Sequence, residues 1–192
     1  MGGSYFGQAG DFLVETLVSL YATAVLLRFL LQWVRADFYN PVSQALVKVT
    51  NPALRPLRRL IPGWAGIDIA ALVLMLAILA LGLFARAVMH GVLPGMVGLL
   101  LLAFADLVAL TLRVFILVLI LQAVISLVSP MGARTPMGDL LWRLSFPLLS
   151  PVQRWVPPVA GLDFSPLVVI IGLQLLQILV AKPLSDLALR FL

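Results

Sequence analysis

Five ionisable residues fall inside apolar runs, where charge is expensive: Glu15, Arg28, Arg86, Asp106 and Arg113. Such groups are tolerated in hydrocarbon when they pair or reach water, so their chemistry is ion pairing or a polar path for ions or protons. Glu15 stands about one helical turn inside the first apolar run and Arg113 about two turns inside the third, entered from the same side, which predicts a Glu15–Arg113 pair. Arg86, near the outer end of the second run, is placed to meet Asp11 or Asp106. Arg28 has Asp68 or Asp163 within reach, or snorkels to the interface. The plainer role is pairing that fixes helix register. A conduit would need more than four spans supply, since no acidic ring or filter-like repeat accompanies these residues.

A second set of bases lies between the apolar runs: Lys48, Arg55, Arg58, Arg59, Arg143 and Arg154. Bases at a membrane boundary act as topology determinants and as contacts for anionic lipid or a protein partner. Other chemistry has few carriers. The chain has no cysteine and one histidine, His90, which excludes disulfides and any zinc or haem site built on Cys or paired His. His90 beside Gly91 reads as an outer-interface loop residue with no partner set. With no nucleophile–base set, Gly-rich phosphate loop or metal cluster, the sequence predicts neither an enzyme nor a cofactor.

The elements that carry these residues follow from composition. Of 192 residues 62% are hydrophobic and 11% charged, and the mean hydropathy is +1.13. Soluble domains are about half apolar and about a quarter charged, so this is a membrane protein. The formal charge of +5 punctuates loops and is not a basic, aromatic-studded surface, which argues against nucleic acid. The N-terminus carries Asp11 and Glu15 where a cleavable signal would carry bases.

A helix spans the hydrocarbon with roughly 20 apolar residues. Candidate spans are 11–34, 68–89 (with Asp68 as cap), 106–128 and 165–181. Residues 92–105, containing Pro94 and Gly95, make an extra apolar segment: interfacial, re-entrant or a kinked extension. After Lys182–Pro183, residues 184–192 suit an interfacial helix. Adding 95 to the numbering maps Pro41, Pro52, Pro56 and Pro62 onto Pro136, Pro147, Pro151 and Pro157, Gly66 onto Gly161, Asp68 onto Asp163 and Arg59 onto Arg154. These types answer backbone needs, so the fixed offset marks an internal duplication. The fold predicted is an all-α membrane protein of two parallel helix–interfacial hairpin–helix repeats, 1–91 and 106–192. The hairpins are 35–67 and 129–164.

Within the first hairpin, Asn40–Pro41 starts a helix. Asn51, preceding Pro52, predicts its end near Thr50. A second short helix then runs to Pro62, and Gly66 permits the return into the second span. The second hairpin keeps the prolines and replaces Arg55 by Ser150 and Arg58 by Gln153. Loop bases Arg35, Lys48, Arg55, Arg58, Arg59, Arg134, Arg143 and Arg154 oppose only Arg86, Lys182 and Arg190, which predicts cytoplasmic hairpins and outward chain ends. Trp33, Trp64, Trp142 and Trp155 fall near that cytoplasmic boundary, as an aromatic belt does.

The stretches DFYNPVSQALVKVTNPALRPLRRLIP and PLLSPVQRWVPPVAGLDFSPL resemble the YggT family of small bacterial multi-pass membrane proteins, in two copies over almost the whole chain. The resemblance implies a bacterial inner-membrane location and a non-enzymatic role. It also implies association with osmotic or ion-stress tolerance, division and nucleoid distribution, or haem attachment in cytochrome b6 assembly. It supplies no catalytic residues. Two roles follow: a membrane scaffold or assembly factor contacting anionic lipid, a membrane-protein partner or a second copy of itself, or a small channel or transporter component in ion homeostasis.

Overall fold

The structure, a computed structural model, describes residues 5–64, 66–128, 135–156 and 163–191. Pro157 and Gly161, both assigned to the second turn, lie outside the described residues, as does Arg134. The described residues form six helices and no strand: α1 (Tyr5–Trp33), α2 (Pro41–Leu60), α3 (Ile69–Met89), α4 (Met96–Val128), α5 (Pro136–Gln153) and α6 (Ser165–Leu189). Of these, α1, α3, α4 and α6 are long and apolar enough to cross a membrane.

Local sequence explains the boundaries. Schellman turns close both α1 and α3. At the first, Arg35 takes a left-handed φ of 51°, with Ala36 N–H on Leu31 O and Arg35 N–H on Gln32 O. At the second, Gly91 takes φ 72°, with Val92 N–H on Ala87 O and Gly91 N–H on Val88 O. Asn40 caps α2 by accepting from Val42 N–H at 3.0 Å. Thr135, at the equivalent position, accepts from Gly138 N–H at 3.1 Å to cap α5. Asp68 caps α3 through Ala71 N–H at 3.2 Å. Gly66, at φ 82°, turns the chain between Trp64 and Ile67, whose backbones pair at 2.9 and 3.1 Å.

Three boundaries depart from the sequence reading. The first hairpin is one continuous helix, with Pro52 and Pro56 inside it, rather than two short ones. Its buried side chains, Ser43, Thr50 and Leu54, lie seven and four residues apart on one stripe, and a break at Asn51 would throw Leu54 out of phase. Both proline rings are exposed, on the side where a lost backbone bond costs least. The second hairpin likewise carries Pro147 and Pro151 within α5.

The second concerns residues 92–105, where a helix extension, one of the three alternatives, forms and moves the start of the third span from 106 to Met96. Pro94 and Gly95 precede the start of α4, and everything from Met96 onward continues that helix, with Leu99, Ala103 and Ala105 buried. At 33 residues α4 is about 50 Å long, well beyond a hydrocarbon core of about 30 Å. Third, the tail is a continuation of the last span. Pro183 cannot donate to the preceding turn, and a π turn over Gln177–Ala181 absorbs the fault, with Lys182 N–H bonding Gln177 O. The helix then continues through Lys182–Leu189 and packs on α4.

α1 packs on α3 and α4 on α6; α3 against α4 forms the main seam between the halves. Val25, Leu26, Leu54, Met75 and Leu119 are the wholly buried apolar centre. Gly82 belongs to this packing: a Cβ there would stand 2.8 Å from both γ-methyls of Val18, so its lack of a side chain sets the α1–α3 approach. α2 and α5 meet at their N-termini, where Asn40 Nδ2 donates to Pro136 O at 2.7 Å.

Candidate functional site

Two polar constellations lie between the helices. The first joins α1, α2 and the start of α3. Arg28, only 9% exposed, turns its guanidinium onto α2. Its Nη1 donates to Thr50 Oγ1 at 2.7 Å, to Asn51 Oδ1 at 2.9 Å and to Val47 O at 3.4 Å. Arg28 therefore neither pairs with Asp68 or Asp163 nor snorkels. It holds the segment of α2 just before Pro52, where the helix has lost a backbone donor. Asp68 is taken by Arg58, which reaches it through Nε at 3.2 Å and through Nη2, and Nη2 also reaches Gln32 Oε1 at 3.3 Å. Asp68 is 6% exposed and caps α3, so this ion pair ties the end of α2 to the start of the second span.

The second hairpin repeats that closure in neutral form. Gln153, equivalent to Arg58, donates to Asp163 Oδ2 at 2.9 Å, and Ser165 N–H donates to Asp163 Oδ1 at 2.8 Å. Burial pushes the Asp163 carboxyl up, and the hydrogen bonds from Ser165 and Gln153 outweigh it, so its pKa lies below the ordinary carboxylate value. The position equivalent to Arg28 is Ala123. There the helices leave a cavity of about 590 Å³.

The second constellation lies at the other end of the molecule, between the halves. Glu15, Arg86, Asp106 and Arg113 line one cavity of about 140 Å³. Within it Glu15 pairs with Arg86 at 3.0 Å, and Arg113 Nε turns back to Ala109 O at 3.4 Å. The predicted Glu15–Arg113 pair is therefore replaced by Glu15–Arg86, and Arg86 bonds neither Asp11 nor Asp106. The reason is that α1 packs along α3 rather than along α4, which sets Glu15 against Arg86 on the adjacent helix. Asp11 instead meets His90, with Nε2 2.8 Å from Oδ2. His90, which also ends α3, thus has the partner that its isolation in sequence concealed.

The loop bases divide unequally. Lys48, Arg55 and Arg59 are exposed and form no salt bridge among the described residues, whereas Arg58 is engaged with Asp68. On α5 Arg143 pairs with Asp139 at 2.9 Å, leaving Arg154 exposed. Exposed apolar groups accompany the first set: Tyr39, Val49, Leu60 and Trp64. Trp33, Trp142 and Trp155 are also exposed. No group of three or more His, Cys, Asp or Glu residues suited to a metal occurs among the described residues.

A family model described as CCB3/YggT matches the chain twice, at residues 8–89 and 101–184. The chain is 42% identical over 179 residues to an uncharacterized protein of Pseudomonas aeruginosa, covering 92% of this chain and 90% of that one. It is 39% identical over 177 residues to the uncharacterized protein YggT of Escherichia coli K12, covering 91% and 90%. A Haemophilus influenzae protein is 35% identical over 164 residues, covering 85% and 87%. No solved structure matches the chain. The chain belongs to the CCB3/YggT family.

Proposed function

We propose that this member of the CCB3/YggT family is a non-enzymatic scaffold or assembly factor of the bacterial inner membrane. Its two proline-containing hairpin helices lie in the cytoplasmic interface as parallel repeats, with both chain ends periplasmic. The first hairpin engages anionic lipid and a membrane-protein partner or second copy. The observation that carries this reading is α2. It buries one stripe against the spans and leaves Lys48, Arg55 and Arg59 exposed without salt bridges beside Val49, Leu60 and Trp64. A helix with an apolar margin and uncompensated bases suits the headgroup layer, where each base near an anionic surface adds about 1 kcal/mol. On α5, with Arg143 paired and Ser150 and Gln153 replacing arginines, that attraction is weaker. Amide-exchange protection of α2 in bilayers with and without phosphatidylglycerol tests it. Protection should rise with anionic lipid and vanish in the Lys48→Gln, Arg55→Gln, Arg59→Gln triple variant. Equal protection in both bilayers defeats the reading.

A channel or transporter component is the second reading, supported by the four ionisable groups that share one cavity. At about 140 Å³ it lies below the range of about 300–1,000 Å³ usual for small-molecule sites. Ion flux from loaded liposomes that Arg113→Ala abolishes would favour it over the scaffold.

A further inference from the structure

We propose that the second repeat contains a binding site for a small organic cation, a primary ammonium or guanidinium, in the cavity bounded by α4, α5 and α6. The first repeat provides the internal control. Ala123, Ser145, Gln153 and Asp163 line the cavity and stand 95 residues after Arg28, Thr50, Arg58 and Asp68. In the first repeat that space is filled by a guanidinium on an alkyl stem, donating into α2. In the second repeat alanine leaves it open, at a volume of about 590 Å³, within the range of about 300–1,000 Å³ usual for small-molecule sites.

The charge balance is reversed as well. The first repeat sets Arg28 and Arg58 against Asp68; the second sets Asp163 against no base among the described cavity residues. Asp163 accepts one neutral donor on each oxygen, and a carboxylate has about four acceptor positions, so both oxygens have capacity left. Gln122, at the position of Leu27, brings an amide oxygen that is inaccessible to solvent and has no hydrogen-bond partner. A buried acceptor without a donor is destabilising; turning the Gln122 amide toward the cavity lets a bound N–H group satisfy it. Phe146 replaces Asn51 and packs on Trp142 with ring centroids 5.0 Å apart. Aromatic faces, an unmatched carboxylate and an orphan amide oxygen are the set that recognises an organic cation. Trp142 is exposed, so the same chemistry can be presented by a lipid amine headgroup or a dissolved amine.

The full-length protein in phosphatidylcholine nanodiscs distinguishes these sources. One arm adds phosphatidylethanolamine; the other adds ethylammonium, with tetramethylammonium at equal ionic strength as the non-donating control. Thermal unfolding and retained lipid by native mass spectrometry are read in both. A primary amine should raise the midpoint by several degrees in at least one arm, and tetramethylammonium should not. The responding arm identifies headgroup or free amine. Ala123→Arg fills the cavity as Arg28 does, and Gln153→Arg neutralises Asp163 as Arg58 neutralises Asp68. Each should weaken amine binding at least tenfold. Gln153→Arg recreates a pair the first repeat already contains, so it answers the question even where Ala123→Arg does not fold. No amine preference in either arm, or unchanged binding in folded Gln153→Arg, overturns the proposal.

Discussion

Removing the Arg28 guanidinium tests the claim that this side chain fastens the first hairpin to its span. Arg28→Met keeps much of the alkyl packing and deletes the donors to Thr50 Oγ1 at 2.7 Å and Asn51 Oδ1 at 2.9 Å. Hydrogen bonds to a charged partner contribute about 1.5–3 kcal/mol each. Part of that is returned, because the guanidinium is 9% exposed and no longer has to be desolvated. Thr50 still donates to Leu46 O at 2.6 Å, whereas the Asn51 amide oxygen loses its partner. The net loss should be about 2–4 kcal/mol. It is measured by titrating detergent-solubilised protein with sodium dodecyl sulfate and following helix content. The sharper quantity is the Arg28→Met, Asn51→Ala double-mutant cycle, with an expected coupling of about 1–2 kcal/mol. Coupling within about 0.5 kcal/mol of zero, the scatter of independent sites, would refute the assignment even if Arg28→Met alone were destabilising.

Other consequences are separable. Gly82→Ala sets a methyl 2.8 Å from the Val18 methyls, so it should cost about 1–3 kcal/mol by overpacking. Val18→Ala in the same chain should recover most of it in the same titration. Arg35→Gly relieves a left-handed φ of 51° and should stabilise the end of α1 by about 1 kcal/mol. Its signature is later exchange of the Ala36 amide. Asp68→Ala removes both the α3 cap and the Arg58 partner; a cap alone contributes about 1 kcal/mol, so a loss nearer 2–3 kcal/mol is expected in that titration. Asp163 has a pKa below its unfolded value. Its contribution is therefore complete above the unfolded pKa of about 3.9 and is lost as pH falls through the folded value. Asp163→Asn should flatten the acid side of the stability profile below about pH 4.

Positions that answer backbone needs were readable in the sequence. Asn40 and Asp68 announce caps, Gly66 announces a positive φ, and four apolar runs announce the span candidates. Contacts set by rotation about a helix axis were not. Glu15 meets Arg86 because α1 and α3 are packed neighbours, and no pattern within either helix says which face meets which. Arg28 finds hydroxyl and amide acceptors rather than a carboxylate, a result that depends on α2 passing over it. Proline misled most. Read locally, Asn51–Pro52 ends a helix, but the buried stripe through Ser43, Thr50 and Leu54 carries α2 across it. The sequence does carry one signal of the difference: Leu27 and Arg28 become Gln122 and Ala123 under the same offset that preserves the prolines.

That substitution pattern bears on how the halves differ. Replacing a buried arginine by alanine normally leaves two faults, an empty volume and stranded acceptors. The second repeat repairs part of the second fault. Phe146 stands in place of the Asn51 acceptor, Ser145 donates to Trp142 O at 3.1 Å, and Gln153 supplies the donor that Asp163 needs. The volume is left open, and Gln122 adds a new buried acceptor where the first repeat has leucine. A site tuned only for packing would lose stability from both features. The first repeat satisfies its interior with its own cations and leaves Lys48, Arg55 and Arg59 exposed on α2. In the second, Arg143 is paired and an acceptor-lined cavity lies inside. The first half thus carries exposed bases on α2, and the second holds a cavity lined by Asp163 and no base among the described residues. A double variant placing Arg at positions 123 and 153 should make the halves alike in stability while removing the amine response alone.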